Sequence, residues 1–280
     1  MSQATSSVSD TTKGQNYSLN LLPARSFGQT SRTGLWWVQP LVVFLGLGGF
    51  VVYATWAALQ GTHYRFGPYL SPFYSPELFG DKESWFGPKP SFWPSWLPFS
   101  PAMLILWAPG GFRITCYYYR GAYYKAFWAD PPSCAVGEPR KSYWGERSFP
   151  LILQNCHRYF MYLALLFLVF LALDVWHALW WLNPATGKYK FGMGLGTLIL
   201  AANVCLLSGY TLGCHSFRHI IGGGGDTLST AKLSKRAYDC ASCLNRRHPT
   251  WAWFSLIMVA FADFYVRMCA SGHWVDWRLF

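Results

Sequence analysis

The chain has 280 residues and a formal net charge of +11, yet charged residues make up only 12% of it and aromatic residues 19%. A soluble domain carries roughly 25% charged residues, so this composition excludes an ordinary water-soluble fold and points to lipid. No recognition motif accompanies the positive charge, which argues against nucleic acid as its partner.

Residues 1–34 are polar, rich in Ser and Thr and poor in acid. With no apolar segment of the signal-peptide kind, they read as a largely disordered cytoplasmic tail. Residues 35–280 read as one anchor domain, an all-α integral membrane bundle of five transmembrane helices. Five apolar stretches reach the ~20 residues that a helix needs to cross a bilayer core: 35–59, 99–118, 151–179, 192–214 and 251–270. Pro109, Gly110, Gly111 and Arg113 interrupt the second, which neighbouring helices can tolerate by re-satisfying the backbone.

Cytoplasmic loops retain Lys and Arg. The tail and the segments 120–147 and 218–247 hold fourteen basic residues, against six in 60–98, 181–191 and the C-terminal end. The N-terminus is therefore expected in the cytoplasm and the C-terminus outside, with the positive loops beside anionic lipid headgroups or an acidic partner. The first outer connection, 60–98, contains seven prolines and eleven aromatics and reads as an ordered cap with Trp and Tyr at headgroup level. On the inner side, 117–128 and 141–147 mix aromatic and basic side chains in the manner of a protein interface.

Most of the eight cysteines fall near the reducing side, so a disulfide framework is not expected. Cys240 and Cys243 form a lone CxxC pair, which an ordinary loop explains as well as a metal or redox role does. The histidines are more informative. His157 near the start of the third span, His215 and His219 at the end of the fourth and His248 at the start of the fifth share one layer on the cytoplasmic side. Cys116 and Cys214, at the inner ends of the second and fourth spans, join them. Taken singly, each reads as an interfacial imidazole or a small apolar filler. Six soft or borderline ligands from four helices in one slab point to a redox metal centre.

Two solutions remain open. One bis-His haem b can sit in the inner layer; a second has little support, because the outer candidates His63, His177 and His273 lie at a span end or in loops. A Rieske-type [2Fe–2S] cluster would take two Cys and two His. Zinc accepts the same donors but has less reason to sit in a membrane. Arg158 follows His157 and would donate to a quinone carbonyl or haem propionate, or snorkel to headgroups. Asp174 and Asp263 lie toward the outer face, where they read as a proton path. Arg267, four residues after Asp263, makes a plain ion pair the alternative.

The segments FRITCYYYR (112–120), FPLILQNCHRY (149–159), CHSFRH (214–219), NRRH (245–248) and DFY (263–265) together carry a family resemblance. The chain, from about residue 35 onward, resembles the single five-helix membrane anchor of succinate dehydrogenases, respiratory complex II. The resemblance implies flavoprotein and iron–sulfur partner subunits that dock on the cytoplasmic face of the inner membrane, electrons passing from them to quinone, and a Rieske-type [2Fe–2S] centre in place of the haem b of other anchors. Succinate chemistry would belong to a partner, and the assembly could be a higher oligomer. One ligand per helix would select Cys116, His157, Cys214 and His248, although His215 and His219 could equally supply the imidazoles. The alternatives are a stand-alone b-type cytochrome, recognisable by a sharp reduced α-band, and a membrane protein without redox function, which would contain no iron.

Overall fold

A computed structural model of the protein describes residues 26–80, 84–140, 148–149, 151–183, 186–223 and 232–279. The fold is a mostly helical membrane bundle, and among the described residues four helices are long and apolar enough to cross a bilayer. The first is α1 (Val38–Gln60), which ends on Gly61 in the left-handed conformation, a common helix stop. Its flank carries exposed Val42, Leu45 and Val52, as expected of a surface turned to lipid rather than water.

The stretch expected to form the second span is not one helix. It comprises α2 (Pro101–Ile105), α3 (Trp107–Ile114) and α4 (Tyr117–Phe127). Pro109 has no N–H to give the carbonyl of Ile105, and α2 ends at that residue. Leu106 N–H to Ala102 and Gly110 N–H to Leu106 carry the helical path across the joint. The second break is at Cys116, whose backbone is extended (φ −66°, ψ 129°).

A 3₁₀ turn (Leu151–Cys156) leads into α5 (His157–His177), the second long span. The third, α6 (Leu195–Leu212), is followed by the short α7 (His215–Gly222) and by α8 (Lys232–Asn245). The fourth, α9 (His248–Ala270), has Pro249 in its first turn, where a missing N–H costs nothing. Helices α6 and α9 form the centre of the bundle, while α1 and α5 leave most of their surface outward.

The outer connection is ordered, as its aromatic content suggests. It begins with a hairpin, β1 (Arg65–Phe66) paired with β2 (Tyr69–Leu70), and the Tyr64 and Tyr74 rings stack at 4.2 Å. A second hairpin, β3 (Trp180–Leu182) with β4 (Tyr189–Phe191), joins α5 to α6. Asp276 of the C-terminal segment accepts bonds from Tyr69, Tyr265 and the Gly196 N–H. Residues 26–34, expected within a disordered tail, are held by a Thr30–Val136 bridge and by Arg32 donating to Ser133. Residues 1–25 of that tail and the 141–147 part of the aromatic and basic surface lie outside the described residues.

Candidate metal centre

Four of the six candidate ligands meet, and each stands at the start of a helix. Cys116 is the N-cap of α4 and Cys214 the N-cap of α7, both on extended backbone. His157 and His248 are the first residues of α5 and α9. In both cysteine segments an apolar helix stops, one extended residue presents its thiol inward, and a new helix leaves in another direction. The four helix starts also aim their positive dipole ends at the same place.

The chamber is closed. Cys116, Cys214 and His157 are 2–4% exposed and His248 9%. His157 Nε2 lies 3.0 Å from Cys214 Sγ, and His248 Nε2 lies 3.5 Å from Cys116 Sγ. The two imidazoles are close enough to interact electrostatically, as are the two thiols. Phe112 stacks on His157 at 4.8 Å and Tyr210 on His248 at 5.0 Å. Gly209 allows this packing, because a Cβ there would come within 2.6 Å of the Trp251 ring on α9.

The donors form two Cys–His pairs. Among the described residues, no three His, Cys, Asp or Glu side chains gather into a single-ion shell. Two thiols and two imidazoles form the donor set of a Rieske-type [2Fe–2S] cluster. The two cavities beside the chamber are lined by other residues than His157 and His248. The Nδ1 of His248 is buried without a hydrogen-bond partner among the described residues.

His215 and His219 are elsewhere. They are exposed on α7, with their Nε2 atoms 2.9 Å apart. Burial, His219 and Arg218 together hold the His215 pKa below its ordinary value. Cys240 and Cys243 are exposed on α8.

A cavity of about 760 Å³ opens beside the chamber, between α1, α3, α4 and the 3₁₀ turn. Its wall is mainly apolar, with Thr55, Arg113, Tyr119, Tyr123 and Gln154 as its polar members. Arg113 also lines a smaller cavity of about 170 Å³ that reaches α5 and α6. Its guanidinium donates to Tyr119 Oη at 2.7 Å and Ser255 Oγ at 3.0 Å, and lies 4.7 Å over the Tyr210 ring. Gln154 is 3% exposed, and its Oε1 has no partner among the described residues. Arg158, the sequence candidate for a quinone contact, is exposed and lines neither cavity.

Arg113 and Gln154, which line the cavity, were not among the sequence candidates. The signal was available for Arg113: a basic residue inside an apolar span is functional more often than not, and it registered only as an interruption. Gln154, one polar residue near a span end, gives no comparable signal.

On the outer side, Asp263 is fully buried and accepts from Tyr53 Oη at 2.6 Å, from Ser71 and from Arg267. Arg267 also donates to the carbonyls of Thr62 and Ala57. Asp174 accepts from Ser75 of the outer connection. Both carboxylates thus fasten the outer cap to the bundle.

Residues 38–272 match the family described as actinobacterial succinate dehydrogenase subunit SdhC. A chain of the Mycobacterium smegmatis Sdh1 complex, solved in its apo form, is 41% identical over 90% of this chain and 94% of that one, with a TM-score of 0.79. No curated protein sequence matches. The apolar helices and the family match agree: the chain belongs to the actinobacterial SdhC family, the multi-pass membrane subunits of succinate dehydrogenase.

Proposed function

We propose that this subunit relays electrons from the iron–sulfur subunit of succinate dehydrogenase to a quinone through a Rieske-type [2Fe–2S] centre held by Cys116, Cys214, His157 and His248. The convergence of these four side chains from four helix starts carries the reading. The flavoprotein and iron–sulfur subunits dock on the inner face, where α4 presents Tyr117, Phe127 and Lys125 and α8 adds Lys235 and Arg236. In this arrangement the broken α2–α4 path serves as a fifth crossing, with the N-terminus inside and the C-terminus outside, which the distribution of basic residues favours.

A centre bound in the chamber supplies one-electron storage between the soluble clusters and a two-electron acceptor. The chain's own residues set the conditions for it. Cys116 and Cys214 would hold it as thiolates, a negative charge that the N-terminal ends of α4 and α7 favour. His157 and His248 would hold it through their Nε2 atoms, which face the sulfurs. The Phe112 and Tyr210 rings exclude water and fix the planes of the imidazoles.

The 760 Å³ cavity suits a quinone ring, since small-molecule sites are mainly apolar with a few placed polar groups. Arg113 reaches only neutral acceptors among its recorded bonds. Its charge is available to an oxygen that becomes anionic on reduction, and such preorganised stabilisation is effective in a water-poor site. Gln154 Oε1 accepts from a quinol hydroxyl. Arg113 over Tyr210, and Tyr210 on His248, make a continuous contact between cavity and chamber.

Electron paramagnetic resonance on the reduced, intact complex tests the reading. A rhombic signal of low average g, additional to those of the iron–sulfur subunit and lost in Cys214→Ser, is the expected result. Low-spin haem signals alone would overturn it.

A further inference from the structure

The two histidines of the chamber are not equivalent. Their rings are similarly buried and similarly stacked, but their outer nitrogens differ. His248 Nδ1 has no partner among the described residues, whereas His157 Nδ1 lies 2.9 Å from Thr115 Oγ1.

The direction of that second contact follows from counting protons. Thr115 is 3% exposed and closes the C-terminal end of α3. Its hydroxyl, which has one hydrogen to give, donates to the carbonyl of Gly111 at 2.7 Å. Only oxygen lone pairs then remain for His157, so Nδ1 must carry the hydrogen and donate. In a neutral imidazole this leaves the lone pair on Nε2, the nitrogen beside Cys214 Sγ. The close approach depends on Gly111, where a Cβ would come within 2.2 Å of the Phe160 ring on α5.

We propose that Thr115 is a positioning residue for the metal-binding edge of His157: its hydroxyl fixes the Nδ1–H tautomer and, with the Phe112 ring, the orientation in which Nε2 meets the metal. The inference rests on the cluster reading above. It assigns an outer partner to one imidazole and leaves the other without one, so the two ligand positions differ in donor strength. An acceptor on the remote N–H makes a ligating imidazole more basic and stabilises the more oxidised metal. Loss of the hydroxyl should therefore move the midpoint potential upward.

The test compares Thr115→Val and Thr115→Ser in the intact complex, reading the g-values and midpoint potential of the chamber signal against those of the iron–sulfur subunit as an internal standard. Val keeps the shape and removes the hydroxyl acceptor, leaving the Phe112 backbone as the ring's other partner; it should shift the g-values, raise the potential and lower the amount of signal per complex. Ser keeps the hydroxyl and should restore all three. If the Val protein does not assemble, Thr115→Ala against Thr115→Ser makes the same comparison of one hydroxyl. Unchanged g-values and potential in the hydroxyl-free variant would show that Thr115 only fills space and overturn the inference. Absence of the signal from the wild-type complex would instead sink the cluster reading itself.

Discussion

Two buried polar clusters of the membrane core differ in how completely their atoms are paired. On the outer side, Asp263 accepts from Tyr53, Ser71 and Arg267, and Arg267 reaches two further carbonyls. On the inner side, the chamber has two thiol–imidazole contacts and an Nδ1 without a partner among the described residues. Burial of polar atoms is costly unless they are hydrogen-bonded. A saturated network repays that cost within the chain and is complete as a clamp. An unsaturated one, made of soft donors, is what the proposed centre would complete.

The largest expected effect tests the unsaturated side. Cys214→Ser or His157→Ala should abolish the chamber signal in the reduced complex and stop quinone reduction. Succinate oxidation assayed with a soluble electron acceptor should persist, because the partner subunits are untouched. A variant that kept both the signal and quinone reduction would remove its residue from the donor set.

The saturated side should respond as structure. Asp263→Ala leaves the Arg267 guanidinium buried without its counter-charge, which costs about 3–5 kcal/mol. Thermal denaturation of the solubilised complex should register that loss. Asp263→Leu combined with Arg267→Met should recover much of it, because an apolar pair of similar volume is often neutral or better. A proton path would give the opposite pattern, with slow quinone reduction at unchanged stability.

The contrast also shows what the sequence could and could not reveal. Length and apolarity were enough for the spans that became α1, α5, α6 and α9, since each boundary lies within a few residues of a composition change. The segment 99–118 defeated the same criterion, because composition does not register an extended residue at 116 or the hydrogen bond that Pro109 cannot make. The ligand layer was visible as a coincidence of residue types at one depth. One residue per helix suggested Cys116, His157, Cys214 and His248, but the sequence could not separate that set from one using His215 and His219, because the difference depends on where a helix stops. The extended backbone of Cys214 ends the path of α6, and His215 and His219 leave on a helix with its own direction.

A smaller effect belongs to the cavity between the two clusters. Arg113→Gln removes a charged donor, and hydrogen bonds to charged groups are worth ~1.5–3 kcal/mol. The catalytic efficiency toward quinone should fall by about 10–100-fold, with the soluble-acceptor rate unchanged. Arg158→Gln provides the control: as an exposed position it should change stability by no more than ~0.5 kcal/mol and leave quinone kinetics at the wild-type level. Reversed outcomes would move the quinone contact from the cavity to the sequence candidate.

The smallest effect is expected where the sequence looked most like a metal motif. His215 and His219 touch each other at 2.9 Å but stand outside the chamber, on an exposed helix whose first residue follows Cys214. Their contact is made between exposed groups, and water replaces it when it is removed. His215→Ala with His219→Ala should therefore change stability by no more than ~0.5 kcal/mol and leave the g-values of the chamber signal where they are in the wild type. The double variant is a sharp control because His215 is a direct chain neighbour of Cys214. If it abolishes the signal while Cys214 remains, one of the two exposed imidazoles must reach the metal, α7 must turn inward to bring it there, and the tautomer fixed by Thr115 would no longer select the ligand nitrogen.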